Sequence, residues 1–95
     1  MFRWVVVVHP DFSGEFFQLP EGVLRRFAVV SGLLEDNGPA LGRPSVDTLR
    51  GSSYPNMKEI RFQIGNAYWR FAFAFDKERR AVVLVGGNKG GENQT

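Results

Sequence analysis

The chain has no cysteine and only one histidine. The first absence excludes disulfides and thiolate chemistry and fits a reducing compartment. The second excludes any mechanism that needs two imidazoles. No stretch approaches the roughly 18 consecutive apolar residues of a membrane-spanning helix. The apolar run that ends at Val8 is cut by His9-Pro10-Asp11, too short for the core of a secretion signal, and no small-residue cleavage site follows it. A cytoplasmic protein with no membrane partner is expected. Histidines and carboxylates do not cluster, so neither a metal nor another cofactor is expected. Charge of one sign is scarce too. Twelve basic residues face 10 acidic ones, so bulk charge says little about partners.

Distribution says more. Asp11, Glu15, Glu21, Glu35 and Asp36 lie in the first half, whereas nine lysines and arginines between Arg43 and Lys89 face only Asp47, Glu59, Asp76 and Glu78. The cationic excess belongs to the second half. Ninety-five residues make one small domain, expected over 1–91 with 92–95 as a tail. A domain of this size buries about 60 to 65% of its unfolded surface. Nine phenylalanines supply much of the apolar volume for a core.

Phe2 to Val8 reads as a β-branched strand buried on both faces, hence a central one. Pro10 opens a short amphipathic helical turn, with Asp11 and Glu15 suited to its N-terminus and Phe12 and Phe16 on one face. A second helix follows Pro20, with Val23, Phe27, Val30 and Leu34 along one stripe. Asn37-Gly38-Pro39 ends it, Gly38 acting as a left-handed cap. Ala40 to Pro55 is a connection with one extended piece, Ser45 to Leu49. From Met57 the period becomes two: Met57–Ile64 and Tyr68–Asp76 flank the hairpin signal Gly65-Asn66-Ala67, and a charged turn leads to Ala81–Val85. Gly86 to Thr95 reads as loop or tail. The fold class is therefore α+β. It is a small, mostly antiparallel sheet, made of an N-terminal strand plus a three-stranded meander, with a helical hairpin on one face.

Strand parity sorts the side chains. Trp69, Phe71, Phe73 and Phe75 point one way, toward the helices, and Tyr68, Arg70, Ala72 and Ala74 the other. On the neighbouring strand Ile60, Phe62 and Ile64 join the aromatic face, which puts Arg61 beside Arg70 on the open face above an alanine floor. Lys58 falls on the helix side by parity. The cations read as having no acidic cluster beside them, although Arg61 has a plainer role open to it as an ion-pair partner of Glu59 or another carboxylate. His9 reads as a helix-start residue and Arg25 and Arg26 as a solvated helix face. Trp69 and the phenylalanines read as core, while Tyr68 and Tyr54 could stack weakly on a base. Gly86-Gly87-Asn88-Lys89-Gly90-Gly91 lacks the spacing of a nucleotide-binding loop.

Five segments carry a resemblance: Asn37-Gly38-Pro39-Ala40-Leu41-Gly42-Arg43-Pro44, Asp47-Thr48-Leu49-Arg50-Gly51-Ser52, Asn56-Met57-Lys58-Glu59-Ile60-Arg61, Trp69-Arg70-Phe71-Ala72-Phe73-Ala74-Phe75-Asp76 and Gly86-Gly87-Asn88-Lys89. In this order they resemble the phage Gp49-like, HigB-type branch of the RelE/ParE toxin superfamily, over roughly residues 4 to 91. The resemblance implies a RelE-like fold and a toxin of a type II toxin–antitoxin system. It implies a ribosome-dependent, metal-independent mRNA endoribonuclease that inhibits translation. It also implies a HigA-like helix-turn-helix antitoxin as partner, with operator DNA met only through that antitoxin. Two rivals stay open: a ParE-like gyrase inhibitor, and an inactive remnant that only binds antitoxin. Family members continue into a C-terminal helix where this chain stops at Thr95, so weakened or absent cleavage by the 95-residue form is expected.

On this reading the catalytic candidates are Lys89, Arg70, Arg61 and Lys58. Arginine cannot act as a base near neutral pH, so Arg61 and Arg70 are assigned to phosphate binding and transition-state stabilisation. A lysine can act as base only where neighbouring cations lower its pKa from about 10.4. Lys89 is the first candidate for proton transfer and Lys58 the second.

Overall fold

A computed structural model describes residues 3–49, 51 and 56–88. Among these residues the element order is β1 (Val5–Val8), α1 (Pro10–Phe16), α2 (Glu21–Asn37), a 3-10 turn (Gly38–Ala40), β2 (Val46–Thr48), β3 (Met57–Ile64), β4 (Ala67–Phe75) and β5 (Arg80–Asn88). The five strands form one sheet in the order β1-β5-β4-β3-β2. All pairs are antiparallel except β1 with β5. The α+β class and the antiparallel meander stand as expected. The sheet is mixed rather than uniform, and the extended piece before the meander joins it as β2.

Both helices form as their patterns dictate. In α1 the buried residues are Phe12 and Phe16, and the His9 ring caps its start, Nδ1 accepting from the Asp11 backbone N–H at 3.1 Å. In α2 the buried residues are Val23, Phe27, Val30 and Leu34, the expected stripe. Burying each such side chain contributes about 1.5–3 kcal/mol, which outweighs the cost of up to about 1 kcal/mol for each of Gly22 and Gly32. Tertiary packing, not propensity, holds α2. It ends at Gly38, whose φ of 56° favours glycine. A Cβ at Gly38 would also overlap the Trp4 indole. Chain reversal and tryptophan packing thus fix the same residue.

The core lies between the helices and the aromatic face of the sheet. Phe71, Phe73, Ile60 and Val83 are fully buried, and Phe71 meets the rings of Phe16, Phe27, Phe62 and Trp69 at centroid distances of 6.0, 5.0, 5.9 and 6.4 Å. The β3–β4 hairpin closes with Ile64 opposite Ala67, across Gly65 at φ 58° and Asn66.

Two strand expectations are corrected. The N-terminal strand is not central: β1 is four residues at the sheet edge, with Val5 half exposed. Consecutive valines suit an edge strand whose inner side chains alone reach the core, here Val6 and Val8. Nor does the third meander strand end at Val85. β5 runs on through Gly86, Gly87 and Asn88, which pair with Phe71, Arg70 and Trp69, and the register shifts between Ala72 and Phe73. Leu84 is the extra residue of this bulge, and the shift sets Gly86 opposite Phe71 and turns Val85 out to solvent. The missing side chain at Gly86 is filled by the Phe71 ring.

Candidate functional site

The hairpin register sets Arg61 directly opposite Arg70, and the bulge sets Gly87 on the far side of Arg70. On the other side the Arg61 N–H donates to the Ser45 carbonyl at 2.9 Å. One row therefore reads Ser45, Arg61, Arg70, Gly87 across four neighbouring segments. A Cβ at Gly87 would meet nothing within 4 Å, so the space beside Arg70 is open. Like charges placed directly opposite across a strand pair are destabilising in themselves. Their retention in one row needs a compensating charge, either from the protein or from a ligand.

Arg61 finds that charge within the protein. Its NH1 lies 3.2 Å from Asp47 Oδ2 and 3.9 Å from Glu59 Oε2. Arg43 holds the same Asp47 oxygen, with Nε at 3.2 Å and NH2 at 3.1 Å. The expectation of cations with no acids beside them is thus corrected for Arg61, and its reading as an ion-pair partner holds. The cause is β2, whose pairing sets Asp47 opposite Glu59, two residues from Arg61 and on the same face. Arg70 differs. It is exposed, and among the described residues its side chain makes no ion pair or hydrogen bond. The open face is also shorter than parity suggests, because Met57 and Glu59 are buried. Its solvent-facing part is the hairpin half.

The Thr48 backbone N–H, donating to Asp47 Oδ1 at 2.8 Å, is the largest influence holding the Asp47 carboxyl below its ordinary 3.8. The Arg43 hydrogen bond and the charges of Arg43 and Arg61 add to it. At the opposite end of the sheet, partial burial alone would raise Asp76. The Arg80 side chain at 2.7 Å and the backbone N–H groups of Arg80 and Glu78 more than offset this, so its pKa is lowered too. A carboxyl whose folded pKa is depressed stabilises the fold above its unfolded pKa and loses that contribution as pH falls through the folded value. Both groups therefore predict a melting temperature that falls as pH drops below about 4. Asp76→Asn should flatten that limb while lowering the melting temperature at pH 7, as a pH series of thermal melts would show.

Of the four candidate residues, the structure brings Arg61 and Arg70 together. Lys58 pairs across the sheet with Phe73 and Thr48, on the face opposite the arginines, where it lines a depression with Pro39, Thr48, Asn56 and Phe75. Lys89 lies outside the described residues, as does Tyr54. Arg43 joins Arg61 and Arg70 from outside the strands, where parity gives no signal. With Arg61, Arg70, Asp47 and Glu59 it lines a polar depression of about 320 Å³. Its signal was the four-residue spacing from Asp47. Arg26 reads as solvated helix surface, yet its guanidinium carbon lies 6.0 Å from the centroid of the Phe62 ring, at a second cleft. No helix among the described residues is long and apolar enough to cross a membrane.

A single mixed sheet, helices on one side and an arginine pair on the other, defines a compact α+β protein with a cationic open face. The chain belongs to the family described as Phage derived protein Gp49-like, whose model matches residues 14–95. It is similar to two proteins of Mycobacterium tuberculosis. The one named "Putative toxin HigB2" is 52% identical over 66 residues, covering 68% of this chain and 32% of that protein. The one named "Putative toxin HigB3" is 41% identical over 86 residues, covering 90% of this chain and 74% of that protein. The chain thus spans about a third of the length of the first and three quarters of the second. No solved structure matches it. The HigB-type, Gp49-like resemblance read from the five segments is borne out.

Proposed function

We propose that the protein is the toxin of a type II toxin–antitoxin pair and that it inhibits translation by cutting mRNA on the ribosome. The relatives' names support the first part. The observation that carries the second is the direct opposition of Arg61 and Arg70, with open space on the Gly87 side. In metal-independent cleavage the 2′-oxygen attacks phosphorus and the P–O5′ bond breaks, leaving a 2′,3′-cyclic phosphate and a 5′-hydroxyl. The 2′-proton passes to a base, and the 5′-oxygen takes a proton from an acid. Arg70 can offer a fork of two N–H groups to the non-bridging oxygens, where negative charge builds in the transition state. Arg61, oriented by Asp47, supplies fixed positive charge beside it. Proton transfer is assigned to Lys89, which lies outside the described residues. No step is assigned to Lys58, which faces away. A helix-turn-helix antitoxin of HigA type is the proposed partner.

The hold of Asp47 on Arg61 favours a second reading, an inactive remnant that binds antitoxin only, because a neutralised arginine stabilises a phosphorane less. Primer-extension mapping of message ends after induction separates the two. New 5′ ends within translated codons are expected. Growth arrest with intact messages would refute the nuclease, and no arrest at all would favour the remnant.

A further inference from the structure

A second cleft, of about 310 Å³, adjoins the arginine row and is lined by Arg26, Ser45, Phe62, Gln63, Tyr68 and Trp69 together with Arg61 and Arg70. Its place follows from the sheet. β2 begins at Val46, opposite Ile60, so the edge of β3 beyond Arg61 has no strand beside it. Arg61 donates its N–H toward that edge, and by the two-residue period the N–H and C=O of Gln63 point the same way. Pro44 has no N–H to give, and no partner for the Gln63 backbone is found among the described residues. The Gln63 side chain is anchored, Nε2 donating to the Gly65 carbonyl at 2.9 Å, which leaves its oxygen as an acceptor.

From this geometry we infer that the cleft is a nucleobase subsite, taking the base next to the phosphodiester that Arg61 and Arg70 grip. The inference rests on the ribonuclease reading and deepens it. The walls wrap the free edge of β3: Tyr68 lies on the arginine face, whereas Phe62 and Trp69 lie on the helix face beside Arg26, and aromatic rings with a guanidinium are the composition on which unpaired bases stack. The backbone of Gln63 offers a donor and an acceptor side by side, and the Ser45 hydroxyl adds a group of either sense. Such an edge can tell bases apart, whereas the arginines contact only the backbone common to all. The volume lies at the small end of the roughly 300–1,000 Å³ of ligand sites, which suits one base rather than a dinucleotide. Trp69 thereby has a role beyond the core.

The protein carries its own reporter and control. Of its two tryptophans, Trp69 lines the cleft and Trp4 packs on Phe75, six residues along β4, about 20 Å away. The test is an NMR titration of the two indole N–H signals with a 2′-deoxy dinucleotide and with its abasic counterpart, which keeps the phosphate but lacks the bases. The base-bearing probe should shift Trp69 and not Trp4, while the abasic probe leaves both in place. In Tyr68→Ala the base-bearing probe should bind about tenfold more weakly, toward the abasic level. Equal shifts of Trp69 by both probes, or no shift by either, overturns the subsite. Because the probes lack a 2′-hydroxyl, the readout is blind to cleavage. A chain that binds the base yet leaves messages intact fails the nuclease reading alone. One that cuts messages while Trp69 stays silent fails the base subsite alone.

Discussion

Arg70→Ala is expected to lower mRNA cleavage by about a hundred- to a thousandfold, the usual cost of removing one preorganised transition-state donor. Its melting temperature should stay at the wild-type value or rise slightly. Both halves follow from placement. The side chain is exposed and, among the described residues, unpaired, so no contact is lost. Its removal also ends the like-charge opposition to Arg61. Arg61→Ala should behave differently. It breaks the pair with Asp47 and removes the cation that lies 3.9 Å from the buried Glu59, so a stability loss of up to about 1 kcal/mol should accompany the loss of activity. Arg70→Lys should not rescue, because an ammonium keeps the charge but not the fork. Ribosome-programmed cleavage assays beside thermal melts decide this. An Arg70→Ala protein that cuts within threefold of wild type would remove Arg70 from the site.

The contrast between these two arginines shows what a sequence can and cannot tell. Their shared face was legible, because the alternation Trp69-Arg70-Phe71-Ala72-Phe73 fixes side; their direct opposition was not, because Ala67 joins β4 and leaves a two-residue turn at Gly65-Asn66 where the sequence signals the three-residue loop Gly65-Asn66-Ala67. The stripe of α2 was legible for the same reason: a period of 3.6 read against local neighbours. Asp47 was not legible as the partner of Arg61. That contact depends on which strand β2 joins and in which register, a choice made between segments more than ten residues apart. The edge position of β1 was hidden likewise, because four valines suit an edge beside β5 as well as a central place. The cleft at Trp69 arises only where β2 stops short and α2 brings up Arg26. Period and parity act within an element; pairing partners are set by the whole chain.

Gly86 and Gly87 carry the clearest case, and adjacent substitutions there should give opposite results. Gly86→Ala should destabilise the fold by about 3 kcal/mol, the upper range for overpacking. A Cβ there would overlap the Phe71 ring and lie 2.6 Å from the Arg70 carbonyl oxygen. The ring cannot retreat, since Phe16, Phe27, Phe62 and Trp69 surround it. The strain must therefore open the β4–β5 ladder at Arg70. Out of a total of about 5–15 kcal/mol for a domain, this is a large share. Gly87→Ala meets nothing within 4 Å and sits inside a strand, where alanine loses less chain entropy than glycine. It should hold or raise stability by about 0.5 kcal/mol, yet its methyl intrudes on the space beside Arg70 and should weaken phosphate binding. Denaturant titrations of the two variants test the pair. A Gly86→Ala protein as stable as Gly87→Ala would mean that the bulge at Leu84 does not hold β5 in this register, and with it would go the position of the arginine row against its glycine neighbour.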